Sequence, residues 1–206
     1  MPDHAPASRP ASNRRGWLRA AGLTLAVFGC ARAGAATFEG VQFDDRITLA
    51  GRELVLNGTG LRAAGWFKAY VAALYLPRRA RTAPEVLEQA GPKRVRLVLL
   101  VNAPALELAK GFDKGVLRNS GTDVEALRPR LARMFEVMQS AGSLKKGDAV
   151  DIDFDPALGT VLQLNGQVRG EPIAGNDFYV AVLRSFVGDH PYHKKLKSGL
   201  LGLPPV

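Results

Sequence analysis

The sequence predicts a single α+β domain, with a mainly antiparallel β-sheet and helices layered on one face. A chain of 206 residues with 47% hydrophobic and 23% charged residues has the size and composition of one globular domain. Strand-like segments occur in runs rather than in regular alternation with helices, which disfavours a doubly wound parallel sheet. The dipeptide Asn165-Gly166 separates two such segments and is typical of a hairpin between antiparallel strands.

Six strands are expected from the hydrophobic patterning, and the last three form a meander over 149–173. The segment 94–101 alternates at first and ends apolar, so its far end should be buried on both faces. The strands are expected at Leu54–Leu56, Trp66–Leu76, Arg94–Val101, Ala149–Phe154, Val161–Leu164 and Gln167–Ile173.

Helices are predicted by two capping boxes and by apolar residues at helical spacing. Thr82 precedes Glu85 by three residues and Thr122 precedes Glu125 by the same spacing, a pattern that satisfies backbone N–H groups at a first turn. The apolar stripe after Thr122 is interpreted as core rather than as a binding groove. Further helices are expected over 105–118, from residue 178 to 187, and over 191–201.

Residues 1–36 have the pattern of a removable export signal. Arg14-Arg15 precedes an apolar run, 20–29, that is too short to span a bilayer, and small residues follow at 33–36. The paired arginines resemble a twin-arginine signal, with Trp17 where an aromatic residue is usual. We therefore expect cleavage after Ala35 or Ala36, a domain over 37–206, and a periplasmic location.

An alternative for the same segment is lipoprotein anchoring at Cys30, although Phe28 is bulky for that motif. Cys30 is the one cysteine, so the domain after the signal should contain no disulfide and no thiolate metal site. No later segment is apolar for long enough to cross a membrane.

Charge and metal-ligand patterns exclude several classes of function. The net charge is +9, but lysines and arginines are scattered, which does not favour nucleic-acid binding. A solvated basic surface is expected, with weak attraction to an anionic membrane or ligand as the alternative. His190 and His193 are too few ligands for a metal and are expected to be structural or on the surface. We expect no cofactor.

Three aspartates resemble the start of a calcium-binding loop. Asp151, Asp153 and Asp155 have the spacing, but Pro156 replaces the glycine and Leu162 replaces the bidentate glutamate. The expectation is three carboxylates on the exposed face of a strand.

The candidate site lies where residues 58–62 and 66–76 form two strands. If residues 62 and 66 paired across a tip, Arg62, Trp66, Lys68 and Tyr70 would share a face, and Tyr70 would lie opposite Gly58. Arg62 and Tyr70 would then be about 13 Å apart along the sheet. A guanidinium and a phenol could still converge on one anion. The alternative is that Arg62 caps the tip and Tyr70 is core.

Two runs resemble the chalcone isomerase-like family, in particular its exported bacterial branch. They are Gly58–Arg62 with Phe67–Leu76, and Gly170–Ile173 with Asp177–Tyr179, continuing to Leu196-Lys197. The resemblance covers nearly all of residues 38–202. It implies an open-faced β-sandwich, in which a large antiparallel sheet and a helical layer enclose a cleft. Members of the family are either enzymes that cyclise chalcones or non-catalytic fatty-acid-binding proteins.

The resemblance also implies roles for particular residues. Arg62 matches the arginine of the cleft, Tyr70 matches a tyrosine of the fatty-acid binders, and Tyr179 lies where the enzymes carry a small hydroxyl residue. The enzymes place a tyrosine and an asparagine on the helix equivalent to 105–118. This chain has Leu108 and Phe112 in that helix, which suits an alkyl chain.

The sequence therefore predicts a non-catalytic, monomeric binder of a small amphipathic carboxylate such as a fatty acid. Its ligand-binding residues would be Arg62, Tyr70, Tyr179, Phe112 and Leu108. One alternative is an isomerase or intramolecular lyase acting on an enone or an acidic substrate, with Arg62 stabilising an enolate-like oxygen. Another is a structural or partner-binding protein of the envelope.

Overall fold

The computed structural model describes residues 34–121, 124–191 and 193–204 of the chain. The predicted twin-arginine motif, the alternative anchor at Cys30 and the capping residue Thr122 lie outside the described residues. The predicted cleavage site falls within the first strand, where Ala35 and Ala36 pair with Asp44 and Phe43. Cleavage after Ala36 would therefore remove two of the four paired residues of that strand.

Strands and helices follow one another in an order that confirms the α+β class. The elements are β1 (Ala35–Phe38), β2 (Val41–Asp44), β3 (Arg46–Leu49), β4 (Arg52–Ala64), β5 (Phe67–Leu76), α1 (Ala83–Glu88), β6 (Lys93–Leu99), β7 (Ala103–Pro104), α2 (Ala105–Asn119), α3 (Val124–Ser140), β8 (Ser143–Leu144), β9 (Ala149–Asp155), β10 (Gly159–Leu164), β11 (Gln167–Ile173), α4 (Asn176–Val187) and α5 (Lys194–Leu200).

Seven strands form one antiparallel sheet in the order β11-β10-β9-β6-β5-β4-β3. All six predicted strands belong to it, and each predicted helix is present. The predicted hairpin is confirmed, because Asn165 and Gly166 have φ values of 51° and 78° and join β10 to β11. The sequence did not predict β1, β2 and β3, which are only four residues long each.

Both faces of the sheet carry apolar side chains. On the helical face, Val95 and Leu97 of β6 pack in the main core with α2, α3 and α4. On the opposite face, Val98 and Leu100 pack against a second cluster that includes Phe43 of the β1–β2 hairpin. The prediction that the far end of β6 is buried on both faces holds fully for the helical face only, because Val98 and Leu100 on the opposite face are partly buried. None of the helices in the described residues is long and apolar enough to cross a membrane.

Glycines bring α5 into backbone contact with β4. A Cβ atom at Gly60 would lie 2.6 Å from the carbonyl oxygen of Leu196, and one at Gly199 would lie 2.3 Å from that of Thr59. Nearby, the buried Asn57 amide donates to the carbonyl of Leu200 at 2.7 Å. Because a side chain at these glycines would separate the two backbones, the glycines fix α5 against the sheet.

Asp151 and Asp153 are buried in ion pairs, so the expectation that they lie on an exposed face was wrong. Each residue is 1% exposed. Asp153 accepts two hydrogen bonds from Arg94, both at 2.6 Å, and Asp151 accepts two from Arg96 at 2.7 and 2.8 Å. The register of β6 and β9 places each acid directly opposite its arginine, a pairing that the sequence of β9 alone does not reveal.

The remaining acid of the apparent calcium loop, Asp155, accepts the backbone N–H of Ala157 at 2.7 Å and stabilises the β9–β10 turn. In the parts of the chain that the structure describes, no cluster of three or more potential ligands could hold a metal ion.

We predict that Asp153→Ala lowers the free energy of unfolding by about 3 kcal/mol, because it leaves the nearly buried Arg94 guanidinium without its bidentate partner. The matched control is Glu53→Ala, since Glu53 pairs with Arg46 at an exposed position and should cost less than about 1 kcal/mol. Urea unfolding measures both values. Equal, small losses for the two variants would contradict the assignment of a stabilising buried pair.

Candidate functional site

A cavity of about 480 Å³ lies between the helical face of the sheet and helices α2, α4 and α5. It is located at the end of the sheet where β4 turns into β5, which we call the tip end. Most of its wall is apolar and is contributed by Phe67, Leu99, Leu108, Phe112, Phe186 and Leu196. The position of Leu196 follows from the glycine-mediated contact between α5 and β4.

Arg62 and Tyr70 both line this cavity and are paired directly across β4 and β5. The predicted separation of about 13 Å was therefore wrong, because β4 continues to Ala64 and the chain turns at Gly65, which has a φ of 58°. Directly paired residues have Cβ atoms about 5 Å apart, so the guanidinium and the phenol can reach one anion. Tyr70 in turn pairs with Leu99 of β6.

A register shift next to Arg62 changes the face of the sheet on which the first residues of β5 lie. The pairing changes from Arg62–Tyr70 to Ala63–Lys68, so β5 has an additional residue at this point. Lys68 consequently forms an ion pair with Glu39, at 2.5 Å, beside an open groove on the opposite face of the sheet. The expectation that Lys68 and Trp66 share the face of Arg62 was wrong: both line this groove and not the cavity.

Arg62 is half-buried, and a histidine lies near it. Its Nη1 donates to the carbonyl of Ala63 at 3.0 Å. His193 precedes α5, and burial together with the charge of Arg62 lowers the pKa of its imidazole. The Nδ1 atom of His193 is buried and has no hydrogen-bond partner within the described residues. The role expected for His193 was structural or at the surface, and its position beside the cavity arginine was not predicted.

Helix α2 presents Leu108, Gly111 and Phe112 to the cavity, so the structure places two of the predicted residues, Leu108 and Phe112, in its wall. No atom lies within 4 Å of the position that a Cβ atom at Gly111 would occupy, so there is open space beside this residue. One turn later, Gly115 serves a different purpose, because a Cβ there would lie 2.6 Å from Cβ of Ser185.

The expected contribution of Tyr179 to the cleft was wrong. Tyr179 is 1% exposed and does not line the cavity; its hydroxyl donates to the carbonyl of Ile152 at 3.4 Å, and its ring centroid is 5.1 Å from that of Phe154. Burial raises the pKa of this phenol well above its usual value. The hydroxyl residue of α4 at the cavity is Ser185, six residues further along and about 9 Å along the helix axis.

Ser185 could have been found from the sequence, because it interrupts an apolar stripe between Val182 and Phe186. A buried serine on such a face needs a partner, and here its hydroxyl donates to the carbonyl of Val182 at 2.6 Å. Asn102 and Glu107 also line the cavity, at its edge after β6, and were not predicted.

An antiparallel sheet with one helical face and one cavity at its end defines an open-faced α+β sandwich, the predicted fold class. A family model described as chalcone isomerase-like matches residues 35–202. The chain therefore belongs to the chalcone isomerase-like family, as its motifs indicated. A search of curated proteins finds no match.

Among solved structures, the chain is similar to the crystal structure of the fatty-acid binding protein AtFAP1 of Arabidopsis thaliana. The TM-score is 0.61 and the sequence identity is 15%, over 82% of this chain and 96% of that chain. At this identity the similarity establishes the fold, and the chemistry of the cavity has to be argued from the residues of this chain.

We predict that protein stability falls as the pH drops below 6.5, through the titration of His193. Its pKa is lower in the folded state than the 6.5 of the unfolded chain, so the unfolded state binds the proton first and the contribution to stability is lost as the pH falls. His193→Gln should flatten the dependence of the melting temperature on pH between about 7 and 5, a range above the titration of most carboxylates. His190→Gln, which replaces an exposed histidine, is the control for the loss of a histidine as such.

Proposed function

We propose that this protein binds a small amphipathic carboxylate, such as a fatty acid, in the cavity beside Arg62, and that it does so in the periplasm after export. The observation that carries the proposal is the direct pairing of Arg62 with Tyr70 at the wall of an otherwise largely apolar cavity. The paired arginines and the short apolar run of residues 1–36 support the location.

The chemistry of the wall favours a ligand with one anionic end. A guanidinium presents parallel N–H donors that match the two oxygens of a carboxylate, and such charge-assisted bonds are stronger than neutral ones. Tyr70 provides a hydroxyl beside Arg62, which can donate to the same oxygen.

The remainder of the cavity suits a hydrocarbon tail. A volume of about 480 Å³ lies within the range of small-molecule pockets, roughly 300–1,000 Å³. Leu108 and Phe112 line one side, and each methylene group buried against them contributes about 0.8 kcal/mol. The Arabidopsis protein of similar fold is a fatty-acid binding protein, which is consistent with this choice of ligand.

We predict that Arg62→Ala weakens the binding of a C16 fatty acid by about 10- to 100-fold, the loss expected for hydrogen bonds to a charged group. Tyr70→Phe should weaken it less, by about 2- to 10-fold, because it removes one neutral donor. Displacement of a fluorescent fatty acid measures the affinities, and native mass spectrometry of protein isolated from the periplasm tests whether an acid is bound.

Two controls separate ligand contacts from general effects. Arg128→Ala removes an exposed arginine of α3 that pairs with Glu125, and it should leave the affinity unchanged. The alcohol with the same chain length should bind weakly to the wild-type protein and should show little sensitivity to Arg62→Ala. Equal affinity for the acid in the wild type and in Arg62→Ala would reject the proposed site.

We also predict that Gly111→Leu shortens the longest acid that binds, because the side chain would enter open space in the cavity. Affinity for C16 should fall more than affinity for C10. The fold should not be destabilised, since replacing glycine in a helix interior gains about 0.8–1 kcal/mol of helix propensity. Calorimetry and the displacement assay measure the two effects.

Gly115→Ala is the matched contrast within the same helix. Its methyl group would collide with Ser185 and should lower the melting temperature. If Gly111→Leu instead reduced the affinity for all chain lengths equally, the alkyl tail would not lie along α2.

A further inference from the structure

The tip of the β4–β5 hairpin exposes two aromatic side chains to solvent. Trp66 is 94% exposed and Phe67 is 46% exposed. Neighbouring exposed apolar residues are typical of an interaction site, and a tryptophan side chain is well suited to a boundary between water and an apolar medium. Leu158, in the β9–β10 turn, is another large apolar residue that is exposed to solvent.

Strand directions place these two exposed sites at opposite ends of the sheet. In the sheet, β4, β5, β6, β9 and β10 are neighbours in this order, and each pair is antiparallel. The β4–β5 turn therefore lies beside the last residues of β6 and the first residues of β9. The β9–β10 turn therefore lies at the other end. The tip end is also where the cavity is located, and Phe67 is part of its wall.

Lysines surround the aromatic tip. Lys68 and Lys146 line the same groove as Trp66, and Lys145 is adjacent in the chain. Lys194 and Lys195 begin α5, beside the end of β4. Acids also lie at this end: Glu39 pairs with Lys68, Glu107 pairs with Lys110, and Asp148 accepts the backbone N–H of Lys145. Among these described residues the lysines outnumber the carboxylates.

We propose that the tip end is a docking surface for an anionic phospholipid bilayer, with Trp66 inserted at the interface. Exposed lysines are attracted to anionic headgroups, and the aromatic side chains would be removed from water between those headgroups. Docking in this orientation brings the cavity wall at Phe67 to the bilayer. The surface is defined without reference to the cavity ligand, and only the purpose of docking, the transfer of an acyl chain, rests on the proposed function.

The test uses the full chain and vesicles of phosphatidylcholine with and without phosphatidylglycerol, with no fatty acid added. Wild-type protein should co-sediment with the phosphatidylglycerol vesicles, and Trp66→Ser should reduce partitioning about tenfold, the loss expected for one buried apolar side chain. Leu158→Ser is the matched control and should bind like wild type. Residues 1–36 are identical in all three proteins, so the differences between them report the tip alone.

The fluorescence of Trp66 provides an independent measurement. The chain has two tryptophans, so Trp17→Phe leaves Trp66 as the sole source of tryptophan emission. Its emission maximum should shift to the blue when phosphatidylglycerol vesicles are added. The proposal is overturned if the emission does not move, if Trp66→Ser and Leu158→Ser partition equally, or if Trp66 instead mediates dimerisation in ultracentrifugation without binding vesicles.

The outcome is separable from that of the ligand assay. Trp66 does not line the cavity, so Trp66→Ser should retain wild-type affinity for a fatty acid in solution. Loss of vesicle binding with retained fatty-acid affinity supports docking, whereas failure of fatty-acid binding in every protein would reject the proposed ligand and leave the vesicle result unaffected.

Discussion

The close contact between α5 and β4 determines where the cavity can exist. Thr59 and Gly60 approach the backbone of Leu196 and Gly199 so closely that a side chain at either glycine would separate the two elements. With α5 held at this distance, Leu196 closes one side of the cavity and His193 lies beside Arg62. The glycines beside Thr59 therefore have a packing function.

The two faces of the sheet are stabilised by different kinds of interaction. Its helical face has an apolar core that opens into the cavity at the tip end, where β4, β5 and β6 form one wall and the helices form the other. Its other face contains the paired charges of Arg94 with Asp153 and Arg96 with Asp151, followed by the apolar cluster under the β1–β2 hairpin. Cross-strand ion pairs with bidentate geometry specify one register between β6 and β9. That register also determines where the meander of β9, β10 and β11 supports α4.

Local signals were sufficient to predict the helices, the six longest strands and the family, because periodicity, capping residues and turn dipeptides depend on neighbouring residues. Contacts between distant segments were not predictable in this way. The additional residue in β5 decided that Arg62 lies opposite Tyr70, and the register of β9 against β6 decided that Asp151 is buried. Tyr179 and Ser185 are on one apolar helix, and only the packing of α4 shows which of them reaches the cavity.

The proposed ligand links the two proposed surfaces through the free energy of its tail. Arg62 would bind the carboxylate at one end of a fatty acid, which leaves a long tail to be accommodated. Moving the tail through water exposes each methylene group, at about 0.8 kcal/mol. The cavity lies at the same end of the sheet as the exposed Trp66 and several lysines. Docking at this end would allow the tail to pass directly between the bilayer and the cavity, without crossing water.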